Sequence, residues 1–153
     1  MVLLGAIEGG GTKFVCGVGT PEGEIRHRIS FPTTTPEETL NRAAEFLLEH
    51  GVQAIGVGTF GPIDVNPQSP TYGSVGGTPK PHWSGYRFVE HLKSRLDVPI
   101  GFDTDVNAAA LGEATWGAAA GLDSCLYITV GTGIGAGAIA GERVSFTVDG
   151  RRK

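Results

Sequence analysis

Three segments of the chain hold residues whose types and spacing could do chemistry. The first, Glu8-Gly9-Gly10-Gly11-Thr12-Lys13, joins two apolar runs. Successive glycines permit positive φ and put no side chain in the way, so backbone N–H groups can close on an anion. Lys13 leads into the strand-like FVCGV, whereas the lysine of a Walker A loop enters a helix, and that phosphate loop is therefore excluded. A second turn, Gly131-Thr132-Gly133-Ile134-Gly135-Ala136-Gly137, follows LYITV and again offers hydroxyl and amide donors. Its letters also satisfy the loose dinucleotide pattern G-x-G-x-x-G/A, but a dinucleotide turn opens a helix and the residues that follow read as a return strand. Taken alone, the first turn also reads as a glycine-rich hairpin without a ligand.

Between the two turns, Gly101-Phe102-Asp103-Thr104-Asp105-Val106-Asn107 sets two carboxylates and an amide where a strand ends and a helix begins. The positive end of the helix dipole favours an ionised carboxylate there. Such a group can orient a hydroxyl and accept its proton, which is most of what phosphoryl transfer asks of a protein base. Either aspartate by itself is also explained as a helix cap.

These segments need a scaffold. Residues 2–8, 13–18 and 25–31 read as strands separated by glycine-rich or polar turns. Thr35 as N-cap, Pro36 behind it and Glu38 completing a capping box open a helix. Its apolar stripe is Leu40, Ala43, Ala44, Leu47 and Leu48, and Gly51 stops it. A buried strand is expected over 54–59, then a long Pro/Gly-rich stretch over 60–85. Helices over 86–96 and 106–119, a short strand over 100–102 and a strand pair within Cys125 to Ile139 complete the order. Strands and helices interleaved in this way predict an α/β domain with a mixed sheet and flanking helices. The small residues 117–123 suggest a boundary, with one lobe over 1–119 and the first hairpin of another over 120–153.

Composition narrows the class. With 18% charged and 40% hydrophobic residues, the chain is expected to be soluble and globular. A net charge of -4, and no basic cluster larger than Arg151, Arg152 and Lys153, argue against a nucleic-acid partner. Cys16 and Cys125 lie far apart in apolar runs and read as core residues. His27, His50, His82 and His91 show no zinc-ligand spacing, so no zinc ligands are expected. The opening MVLLGAIEGG reaches Glu8 too soon for a signal peptide or a membrane span, which points to a cytoplasmic location without membrane partners.

Together the segments resemble the ROK family of sugar kinases, in its bacterial fructokinase branch, from about Leu4 to about Glu142. IEGGGTKF is similar to that family's first phosphate motif, FDTDVNAAALGE to its catalytic segment and VGTGIGAGAI to its second phosphate motif. FPTTTPEETL, FGPID, SPTYGSV and GTPKPHW are similar to stretches typical of fructokinases. The resemblance implies an actin/hexokinase-like (ribonuclease H-like) ATPase lobe and ATP-dependent phosphorylation of a hexose, D-fructose to fructose 6-phosphate. It implies Asp105 as the general base, with Gly10, Gly11, Thr12, Lys13, Thr132 and Gly133 around the ATP phosphates. Gly61, Pro62, Asn107 and Asp105 would border the sugar, and Glu8 would serve magnesium through water. Trp83 reads either as a sugar-facing aromatic or as a loop anchor. Glu113 reads as a helix-face residue.

Past Glu142 the segment RVSFTVDGRRK departs from the family's sugar-binding ExGH and cysteine-rich stretch. That departure implies a truncated second lobe with a divergent tail, a chain inactive by itself, and apolar hairpin residues left uncovered. Two other readings stand beside fructose. One is a kinase for glucose, mannose or an N-acetylhexosamine, and the other a non-catalytic sugar-binding or interaction module. A repressor of this family would need a DNA-binding segment ahead of the first turn, where seven residues precede Glu8. A homodimer is compatible with all of these readings.

Overall fold

Alternation of buried and exposed side chains builds the first three strands, β1 (Leu4–Gly9), β2 (Lys13–Gly19) and β3 (Ile25–Pro32), into an antiparallel meander. The computed structural model describes residues 1–131, 133–141 and, as backbone, 143–150. Ile7, Phe14, Cys16, Val18 and Phe31 are buried in the core under the first helix, α1 (Pro36–Glu49). Burial pushes the Cys16 thiol pKa up to about 12, as expected of a packing residue with no charge partner.

The cap of α1 forms where the sequence places it, with Thr35 Oγ1 accepting the Glu38 N–H at 3.4 Å. The capping box is only half made, because the Glu38 carboxylate takes the Thr34 hydroxyl at 2.6 Å. Leu40, Ala43, Ala44 and Leu47 are buried, while Leu48 remains 52% exposed. Gly51, at φ +60°, ends the helix in the left-handed conformation that glycine adopts without strain.

Strand β4 (Ala54–Thr59) runs parallel to β1, and β5 (Ile100–Thr104) runs parallel to β4. The result is a mixed five-stranded sheet in the order β3-β2-β1-β4-β5. Between β4 and β5 the Pro/Gly-rich stretch closes on itself through an Ile63–Val75 bridge and a Gly76 N–H to Pro62 carbonyl bond of 2.7 Å. Ser69 and Thr71 hydroxyls and the Asn66 N–H all donate to the Asp64 carboxylate and hold its pKa below the usual range. Trp83 is fully buried against Phe14, Phe60 and Phe88, and its Nε1–H donates to the Thr34 carbonyl at 3.0 Å. It is the loop's anchor.

Helix α2 (Phe88–Lys93) is shorter than the expected 86–96. The Tyr86 carbonyl is taken by the Val75 N–H at 2.9 Å, which ties that residue to the loop. Helix α3 (Asp105–Trp116) also stops before the expected residue 119. There the Glu113 carboxylate folds back to accept the Ala118 N–H at 2.8 Å, a terminating role consistent with a helix-face residue.

A second sheet follows in the order β6 (Ser124–Val130), β7 (Ile134–Ala140) and β8 (Arg143–Gly150), all antiparallel. The sequence reading expected a strand pair and a divergent tail, and β8 corrects it. Valine, phenylalanine and threonine in RVSFTV continue the sheet beyond the turn at Gly141. Helix α3 packs against β4 on one side and against β6 and β7 on the other, so the aspartate segment lies between the two sheets.

Candidate functional site

The first glycine turn links β1 to β2 and is braced from behind. Gly10 N–H donates to the Lys13 carbonyl at 3.0 Å, and the Thr33 hydroxyl donates to the Gly10 carbonyl at 2.7 Å. Thr33 N–H reaches the Thr12 carbonyl at 2.9 Å. Gly11, Thr12 and Lys13 are exposed, and the Gly11 and Thr12 amides have no hydrogen-bond partner among the described residues. Two amides and an ammonium thus project from a rigid turn, a donor set suited to an anion. Gly10 shapes the turn and its own N–H is occupied. Thr33 was missed in the sequence, since nothing in its spacing marks the residue just past β3 as a brace for a turn some twenty positions earlier.

At the other end, β5 delivers the aspartates. Thr104 is the N-cap of α3, its hydroxyl accepting the Asn107 N–H at 3.3 Å. Neither aspartate is the cap. Asp103 Oδ1 accepts from the Thr104 N–H at 2.7 Å and from Asn107 Nδ2 at 2.8 Å. Asp105 occupies the first helical position, with Oδ1 3.0 Å from the Val106 N–H. Asn107 is 7% exposed, and its Oδ1 has no hydrogen-bond partner among the described residues. A threonine directly ahead of the helix was a legible cap signal, obscured by two neighbouring aspartates that also cap helices.

A cleft of about 530 Å³ opens between the two sheets. Asp103 and Asp105 line it together with Gly61, Pro62 and Gly133, and Ile63 and Val65 add an apolar wall. Gly61 and Pro62 are joined by a cis peptide. The structure therefore brings Asp105, Gly61, Pro62 and Gly133 into one cavity. Thr132 lies outside the described residues. Glu8 and Asn107 line a second, more apolar groove of about 740 Å³, bounded by β1, β4, β5 and α3, which Asp103 and Asp105 also border. Gly10, Gly11, Thr12 and Lys13 line neither cavity. The aspartates thus stand where cleft and groove meet. Ile63 and Val65 went unnoticed in sequence, because an apolar residue in a loop reads as packing.

A family profile described as "ROK family" matches residues 4–151. The chain belongs to the ROK family. The match continues past Glu142, where the sequence reading had ended it, so the stretch that forms β8 is family sequence. A Bacillus subtilis relative, provisionally named a fructokinase, is 54% identical over 93% of this chain and 48% of its own length. The Pediococcus pentosaceus fructokinase is 50% identical over 94% of this chain and 50% of its own. A solved ROK glucokinase from Streptomyces griseus, in complex with glucose and AMPPNP, superposes with a TM-score of 0.80 at 30% identity. That superposition covers 97% of this chain and 48% of the glucokinase. The chain thus spans about half the length of the relatives it matches. Its fold is the actin-like ATPase fold of the ROK hexokinases. Among the described residues no helix is long and apolar enough to cross a membrane.

Proposed function

We propose that the chain carries the phosphate-facing and sugar-facing residues of an ATP-dependent hexose kinase that converts D-fructose to fructose 6-phosphate. The observation that carries this reading is the position of Asp105. It stands at the start of α3 with the cap supplied by Thr104, on the wall of a cleft shared with Gly61, Pro62 and Gly133. In this role the carboxylate takes the proton of the sugar's C6 hydroxyl. The oxygen attacks the γ-phosphorus, the bond to the β-phosphate oxygen breaks, and ADP leaves.

The amides of Gly11 and Thr12 and the Lys13 ammonium hold the ATP phosphates, with Gly10 fixing the shape of their turn. Thr132 and Gly133 meet the phosphates from the second turn. Gly61 and Pro62 border the sugar, and the unpartnered Oδ1 of Asn107 accepts one of its hydroxyls. Magnesium, when bound, neutralises charge on the β- and γ-phosphates. Among the described residues no three His, Cys, Asp or Glu side chains are grouped to hold a metal ion. Glu8 is exposed and would hold magnesium through water. Residues 1–119 act as the first lobe, and the chain from residue 120 on begins the second. Soluble sugar and ATP as partners suit a cytoplasmic protein.

Fructose is preferred over glucose because relatives named fructokinase are 40–54% identical, whereas those named glucokinase are 33–34% identical. The test joins this chain to the half of the Pediococcus pentosaceus fructokinase that it does not span. Phosphorylation of fructose, glucose, mannose and N-acetylglucosamine is then compared by kcat/KM. Fructose should lead. A chimera that favours glucose overturns the acceptor, and one that binds sugar but neither binds ATP nor transfers phosphate overturns the kinase reading.

A further inference from the structure

The carbonyl and the N–H of one planar trans peptide point opposite ways, so whatever holds the carbonyl also aims the N–H. In the first glycine turn this matters most at the peptide between Gly10 and Gly11. It has glycine on both sides, and no side chain resists its rotation. Gly10 must be glycine, because a Cβ there would stand 2.7 Å from the Lys13 carbonyl oxygen. The preceding peptide is held at both ends, its Gly9 carbonyl by the Phe60 N–H at 2.8 Å and its Gly10 N–H by the Lys13 carbonyl at 3.0 Å. Among the described residues, the peptide between Gly10 and Gly11 has one hold, the Thr33 hydroxyl on its carbonyl at 2.7 Å.

Thr33 is itself fixed from two directions. It is 7% exposed, and its N–H donates to the Thr12 carbonyl at 2.9 Å. On the other side the Lys80 ammonium donates to the Thr33 carbonyl at 3.4 Å, and the Trp83 indole N–H holds the next carbonyl, that of Thr34. A Cβ added at Gly11 would meet nothing within 4 Å, so the turn is open at the residue whose N–H this arrangement aims.

We infer that Thr33 is a positioning residue for the nucleotide, its hydroxyl locking the peptide between Gly10 and Gly11 with the N–H turned away from the brace and toward phosphate. The inference rests on the kinase reading. Thr33 touches no phosphate and acts through Gly10 and Gly11. Without its hydroxyl the peptide is free to turn over. The Gly10 carbonyl, an acceptor, then stands where an anion needs a donor, so phosphate loses one hydrogen bond and meets a lone pair in its place. The sugar side keeps its contacts.

Amide NMR spectra of the isotope-labelled full chain, titrated with inorganic tripolyphosphate, test the lock without adenine or sugar. The Gly11 and Thr12 signals should move and saturate. Thr33→Val keeps the side chain's size and removes the donor, and Thr33→Ala removes it in a second way; each should weaken binding about tenfold. Thr33→Ser restores the hydroxyl and should return the affinity to within about twofold of the parent. In the chimera, Thr33→Val should raise KM for ATP by a similar factor and leave KM for fructose unchanged. Lys93→Met, on the exposed side of α2, should alter neither. Circular dichroism shows which variants fold, and affinities are compared among those. Gly11 and Thr12 signals that stay still in the parent overturn the inference, as does equal affinity in the parent and the hydroxyl-free variants. So does a loss that Thr33→Ser fails to restore. A chimera that phosphorylates no sugar sinks the kinase reading alone, since tripolyphosphate tests the lock on the chain itself.

Discussion

Gly137 of β7 lies so close to the start of α3 that a Cβ there would stand 2.3 Å from the Val106 carbonyl oxygen. The strand that follows the second glycine turn is thus pressed onto the backbone of the helix that begins at Asp105. Gly137→Ala must push strand and helix apart, and backbone cannot yield as a flexible side-chain tip does. A loss of about 1–3 kcal/mol is expected from such overpacking, read from urea unfolding. Gly135→Ala, whose Cβ would meet only side-chain methyls, Val106 Cγ1 at 3.1 Å and Thr129 Cγ2 at 3.3 Å, should cost less. Equal stability of the two variants would show that the close approach is not a constraint.

Asp105 and Thr104 should separate chemistry from capping. In the chimera with a complete second lobe, Asp105→Asn keeps the side chain's shape and removes the base. Turnover should fall by about 10²–10⁴-fold with ATP binding little changed. Thr104→Ala removes the hydroxyl that caps Asn107 and should cost about 1 kcal/mol of stability. Its effect on kcat should be far smaller than that of Asp105→Asn. Near-normal turnover in Asp105→Asn would remove Asp105 from the role of base.

Local chemistry made much of this legible in the sequence. The meander, α1 with its Thr35 cap and Gly51 stop, and the strand-to-helix passage at the aspartates all follow from spacing and cap residues within a few positions. The parts that escaped depend on distant partners. Tyr86 looks helical by pattern, yet the Val75 N–H draws its carbonyl into the loop. Strand β8 was passed over because its likeness to the family weakens where its β-branched and aromatic pattern continues. Asp103 and Asp105 could not be told apart from caps until Thr104 was seen to cap the helix. Why Gly10 to Lys13 line neither cavity is also invisible locally, since it depends on how two separate sheets are set around α3.

Trp83 should matter to the fold and not to the choice of sugar. Its ring centroid lies 5.6 Å from that of Phe14 and 5.3 Å from that of Phe60, and its Nε1–H satisfies the Thr34 carbonyl beside the α1 cap. Trp83→Phe keeps an aromatic ring and strands that carbonyl, for an expected loss of about 1–3 kcal/mol. Trp83→Ala also opens a cavity and should cost about 3–5 kcal/mol. In the chimera, the ratio of kcat/KM for fructose over glucose should hold in Trp83→Phe. A marked shift in that ratio would return Trp83 to the sugar site.

His91 should give the chain a pH-dependent stability. Its Nε2 lies 2.9 Å from Asn41 Oδ1, which can only accept, so Nδ1 accepts from the Tyr86 hydroxyl at 2.8 Å. Burial first, then the Arg95 guanidinium, hold its pKa below the ordinary histidine value, against a weaker opposing pull from Glu37. Burial likewise raises the Tyr86 pKa. As pH falls through the ordinary histidine range, the unfolded chain takes up a proton that folded His91 refuses. Stability therefore declines across that window and levels off below the depressed folded pKa, where both states are protonated. His91→Gln removes this titration and leaves His27, His50 and His82 in place. Urea midpoints between about pH 7 and about pH 5 should fall more steeply for the parent chain than for the variant. Identical slopes would mean that His91 gains its proton as readily in the folded chain as in the unfolded one.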